Sequence, residues 1–74
     1  MKRKEIEEMD RRIMSFIRSN PGALTTEIAQ ALTDDFGPER RMVHLRIYSL
    51  SARGLINKVG EVRDTCTTFR WRAA

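Results

Sequence analysis

The chain is poor in the residues that build staples and catalytic centres. It has one cysteine, Cys66, and one histidine, His44, in 74 residues. A single thiol excludes an intramolecular disulfide framework, and no second Cys or His stands nearby to complete a zinc site. No apolar run approaches the about 18–20 residues of a membrane span. The opening Met1-Lys2-Arg3-Lys4-Glu5 leads into a charged amphipathic segment rather than a signal-peptide core. The four glycines form no phosphate-cradling loop, and no nucleophile has a plausible base. The adjacent acids Asp34-Asp35 fall in a turn. Three helices and a hairpin leave no room for an enclosed pocket of about 300 Å³. The expectation is a single reduced, cytoplasmic domain over residues 1–74 that is not an enzyme. No cofactor, metal, membrane or small-molecule ligand is expected.

Charge is abundant and unevenly placed. Residues 1–39 carry six basic and eight acidic side chains, a net of −2. Residues 40–74 carry Arg40, Arg41, Arg46, Arg53, Lys58, Arg63, Arg70 and Arg72 against Glu61 and Asp64, a net of +6. Eleven of the fourteen cations are arginine, whose planar fork suits phosphate oxygens and guanine edges better than a lysine point charge. One half reads as scaffold and the other as a surface for a polyanion.

Hydrophobic spacing divides the chain into helices and strands. Ile6, Met9, Ile13, Phe16 and Ile17 recur at helical intervals, which predicts a first helix over about residues 4–19. Asn20-Pro21-Gly22 ends it, since Pro21 disfavours helical geometry at Asn20. A short second helix, about 25–33, has Thr25 as its expected N-cap and Glu27 in its first turn. Ile28, Ala29 and Leu32 form its buried stripe. The turn Asp34-Asp35-Phe36-Gly37 follows, with Phe36 expected to plug the core. Pro38 suits the first position of a third helix, about 38–53.

That third helix is the most informative part of the sequence. At 100° per residue, Val43, Ile47 and Leu50 share one face, while Arg41, Leu45 and Tyr48 cluster on the opposite one. Gly54 is expected to take the left-handed cap that turns the chain back. A helix anchored on one side and basic-aromatic on the other suggests a reading head for nucleic acid. Leu55–Val59 and Thr67–Arg72 then alternate as strands, with Gly60–Thr65 as the hairpin tip carrying Arg63. A short strand at Ala23-Leu24 can join them. The expected fold class is α+β.

Leu24-Thr25-Thr26-Glu27-Ile28-Ala29-Gln30-Ala31-Leu32, the Val43, Ile47 and Leu50 spacing, and the Arg53-Gly54-Leu55-Ile56 exit resemble the winged helix-turn-helix family of DNA-binding regulators. The resemblance covers about residues 5–72. It implies three helices followed by a two- or three-stranded wing, with residues 57–68 as the wing and Phe69-Arg70-Trp71 returning from it. It also implies sequence-specific binding of double-stranded DNA and transcriptional regulation, as a repressor or accessory factor. The third helix would lie in the major groove, with the wing over backbone or minor groove. Arg41 would offer a fork to guanine, flanked by Met42, His44 and Tyr48, and Leu45 would meet a thymine methyl. Arg40, Arg46, Lys58, Arg63 and Arg70, with the backbone at Thr25 and Thr26, would contact phosphates.

Two alternatives remain within the sequence. The outward Leu45 and Tyr48 also suit a protein-interaction module that uses the third or first helix. A homodimer on a symmetric site, with the first helix and Met14 as candidate surface, is a reasonable expectation, and binding as a monomer or assembly side by side only on DNA stays open. Cys66 is expected to be a strand residue of neutral packing rather than an oxidation sensor.

Overall fold

The structure, a computed structural model, describes residues 2–33, 38–63 and 67–74, with residues 38 and 39 described by their backbone. It is a small α+β domain of three helices and a three-stranded antiparallel sheet. The elements are α1 (Arg3–Ser19), β1 (Ala23–Leu24), α2 (Thr25–Leu32), α3 (Pro38–Ala52), β2 (Ile56–Arg63) and β3 (Thr67–Ala73). Among the described residues, no helix is long and apolar enough to cross a membrane.

α1 forms where its apolar spacing predicts it and buries Ile13 and Ile17 completely. Ile6, Met9 and Phe16 remain half-buried at the rim. At its end the backbone N–H of Asn20 donates to the Phe16 carbonyl at 2.9 Å, and its side-chain amide donates to the same carbonyl at 3.0 Å. Gly22 then turns the chain with φ of 84°, a region glycine enters without a Cβ penalty. Its N–H donates to the Trp71 carbonyl at 2.9 Å, which ties the turn to β3.

The start of α2 differs from the N-cap expected at Thr25. Leu24 occupies the cap position with extended backbone, and Thr25 is the first helical residue. Glu27 therefore stands three residues beyond the cap, and its carboxylate accepts the Leu24 N–H at 2.8 Å. This is the glutamate half of a capping box, which satisfies one orphan donor of the helix end.

α3 ends in a Schellman motif. The N–H of Leu55 donates to the Leu50 carbonyl at 3.1 Å and that of Gly54 to Ser51 at 3.0 Å. Gly54 has φ of 77°, the left-handed geometry expected of it. The cap swings the chain into β2.

The sheet runs in the order β1–β3–β2. β1 pairs through Ala23 with Trp71 and Leu24 with Arg70. β2 is longer than the expected strand at Leu55–Val59: it begins at Ile56 and continues to Arg63, which pairs with Thr67. The expected tip thus lies partly within paired strand. Phe36, the whole turn Asp34–Gly37, and Cys66 lie outside the described residues.

The core gathers Ile13, Ile17, Ala23, Ile28, Ala29, Val43, Ile47, Leu50, Ile56 and Trp71. Each large aliphatic side chain taken from water contributes roughly 1.5–3 kcal/mol. Trp71 is wholly buried and is the largest member, so the core centres where β3 meets the helices.

Candidate functional site

The site is built outward from α3. Val43, Ile47 and Leu50 are at most 1% exposed. Helical geometry then turns the opposite side chains to solvent: Arg41 is exposed, Leu45 is 56% exposed and Tyr48 47%. Met42 and His44 are half-buried on the flanks. Tyr48 is more than an outward side chain, since its ring meets Trp71 edge-on with centroids 5.8 Å apart. That contact joins the exposed side of α3 to β3.

His44 titrates below its ordinary range. Burial disfavours its charged form, and the Arg40 guanidinium adds like-charge repulsion. At neutral pH the imidazole is thus uncharged and offers one donor and one acceptor nitrogen.

Arg46 has a different role from the phosphate contact expected of it. Its Nε donates to Asp10 Oδ1 at 2.7 Å and its second guanidinium nitrogen to Oδ2 at 2.6 Å. The two side chains are 20% and 17% exposed. This bidentate pair raises the Arg46 pKa, mainly through the hydrogen bonds. Arg53 adds a longer approach to the same carboxylate, 3.8 Å. Asp10 therefore fastens α3 to α1, and Arg46 serves the scaffold. The helical wheel holds the signal that was missed. Arg46 lies about 40° from Leu50 at 100° per residue, and Asp10 sits four residues from Ile6 and three from Ile13 on the α1 stripe.

Thr25, expected as the N-cap, is instead the first residue of α2, and its side chain faces the core. It is 3% exposed, and its hydroxyl accepts the Trp71 indole N–H at 2.7 Å. It also donates to the Phe69 carbonyl at 3.4 Å. That hydroxyl is occupied in the core; the phosphate contact expected here is through the backbone N–H groups of Thr25 and Thr26, on which these bonds do not bear. Thr26 is half-buried beside it. The Glu27 carboxylate already stands at this helix end, which opposes a second anion there.

The remaining cations are divided by the sheet. Residues paired directly across an antiparallel ladder share a face. Lys58 pairs with Trp71 and Arg63 with Thr67, so both lie on the helix-bearing face, whereas Arg70 pairs with Gly60 and Leu24 on the other. The Lys58 ammonium stands 3.7 Å from the Phe69 ring centroid and 5.9 Å from that of Trp71. This cation–π contact holds the charge toward the α3 side. Arg63 is 78% exposed, and its Nε donates to Glu61 at 3.0 Å. Arg70 donates to the Gly22 carbonyl at 3.0 Å. Arg40 is half-buried near His44.

The described clefts are open grooves. One of about 430 Å³ runs between α1 and α3 and is lined by Asp10, Met14, Arg46, Leu50 and Leu55, among others. Among the described residues, no group of three or more His, Cys, Asp or Glu side chains is placed to hold a metal ion. Comparison with family models, curated proteins and solved structures finds no match to this chain.

Proposed function

We propose that this protein binds double-stranded DNA sequence-specifically, in the manner of a winged helix-turn-helix regulator, and acts in the cytoplasm as a repressor or accessory factor. One observation carries the reading: α3 is buried along Val43, Ile47 and Leu50 and exposes Arg41, Leu45 and Tyr48 on its far side. Such a helix can enter the major groove while its anchored side holds it to the scaffold. Arg41 then serves as the guanine fork, Leu45 as the contact for a thymine methyl, and His44, Met42 and Tyr48 as flanking readers. The β2–β3 hairpin acts as the wing in this reading; Lys58 and Arg63 share one face of the sheet, which supports casting them as phosphate contacts. Arg40 adds charge at the start of α3. Arg70 and Thr26 are peripheral in this arrangement.

A second reading rests on the exposed Leu45 and Tyr48, whose combined apolar area also suits a protein partner. Selection of bound sites from a random duplex pool separates the two. The DNA reading predicts enrichment of a short motif, symmetric if the protein binds as a dimer. A pool that stays random through repeated rounds favours the protein-interaction module.

A further inference from the structure

Among the described residues, the sheet order leaves β2 with β3 on one side and no strand on the other. The open edge carries Asn57, Lys58, Val59 and Glu61, all exposed. Lone edges often carry a bulge and a lysine, which deter indiscriminate strand pairing. Both are present here, and together they leave one symmetric register open.

In an unbroken strand, side chains alternate between faces, so residues three apart point to opposite sides. The register shift between Lys58 and Gly60 cancels one step of that alternation. Lys58 stands opposite Trp71 and Glu61 opposite Phe69, and both therefore lie on the helix-bearing face. Two copies of β2 running antiparallel can then set Lys58 of each against Glu61 of the other with faces matched. The same register sets Asn57 against Val62 and Ile56 against Arg63, again face to face. The two bulges lie opposite one another, so the ladder stays in step on either side of them. Val59, 53% exposed, and Gly60, without a side chain, stand at the axis.

We infer that the occupant of this edge is a second copy of the chain, paired β2 to β2 in a continuous six-stranded antiparallel sheet. Its charge complementarity is reciprocal, as a two-fold axis requires. Within one copy Glu61 accepts Arg63 Nε at 3.0 Å and Lys58 stands over the Phe69 ring, so pairing exchanges these exposed contacts for contacts across the axis. The inference does not depend on DNA binding. A strand edge of this length falls below the about 1,000 Å² of a stable interface, so the dimer is a weak one.

Sedimentation equilibrium of the full chain without DNA, from micromolar to millimolar concentration, tests it. The average mass should rise toward twice that of the chain. Lys58→Glu and Glu61→Lys should each weaken self-association by at least about tenfold, and the double reversal should restore it. Both residues are exposed, and Trp71 emission confirms that each variant is folded. A wild-type chain that stays monomeric throughout overturns the inference. So do single reversals that associate as tightly as wild type, which would move the interface elsewhere, and a double reversal that stays weak.

Discussion

The indole N–H of Trp71 donates to the Thr25 hydroxyl at 2.7 Å, joining residues 46 positions apart. Trp71 also meets Tyr48 and Phe69 edge-on, and Phe69 carries the Lys58 ammonium. One buried ring thus sets the start of α2, the exposed side of α3 and the cation of the hairpin relative to one another.

Thr25→Val keeps the shape of the side chain and removes the acceptor. The indole N–H is then buried without a partner, which costs about 1–3 kcal/mol. Urea unfolding followed by the emission of Trp71, the single tryptophan, should show a lower midpoint. Thr25→Ser should recover most of the loss. An unchanged midpoint in Thr25→Val would mean that the bond contributes nothing net.

Asp10 and Arg46 form the charged tie between α1 and α3. Asp10→Ala or Arg46→Ala strands a mostly buried charge, and each should lower stability by about 1.5–3 kcal/mol. Asp10→Leu/Arg46→Met replaces both charges with apolar volume and should lose less than the two single changes together. Additive losses in denaturant melts would show that the pair acts as two independent residues.

His44, the single histidine, can be followed unambiguously by proton NMR. Its titration midpoint should fall below the ordinary value of about 6.5, since burial first and Arg40 second disfavour the charged form. Arg40→Gln should raise it. The unfolded chain then binds the proton more readily than the folded one. The His44 contribution to stability is accordingly full above the unfolded pKa and is lost as pH falls through the folded pKa. A midpoint at or above the ordinary value contradicts this.

Arg41 and Arg63 should separate in function. Arg41→Ala removes a base-reading fork and should relax preference at one base pair, worth about 1–3 kcal/mol of discrimination. Arg63→Ala removes a phosphate contact and should weaken all sequences about equally. Titration of a bound duplex and its single-base variants distinguishes them. Parallel losses in the two variants would end this division of roles.

Much of the architecture was legible because it is periodic. The stripe in α1, the two sides of α3, and Gly54 as a left-handed cap all follow from local spacing and glycine's freedom. What escaped was long-range. Arg46 looked like a surface cation until Asp10, 36 residues earlier, was brought beside it. Thr25 looked like a cap because cap preference is local, whereas its partner Trp71 arrives from the last strand. The division of Lys58 and Arg63 from Arg70 depends on strand register, as does the bulge at Lys58 and Gly60. Counting cations along the chain shows the excess but not the face on which each one lies.

The most direct test of the central proposal is fluorescence anisotropy of the wild-type chain on labelled duplex DNA across a salt series. The account predicts binding at low salt with affinity falling linearly on a log–log plot, by about 0.9 per phosphate contacted. Lys58→Ala should make that slope shallower by about one contact. Absence of binding to any duplex, including a random-sequence pool, at low salt would contradict it.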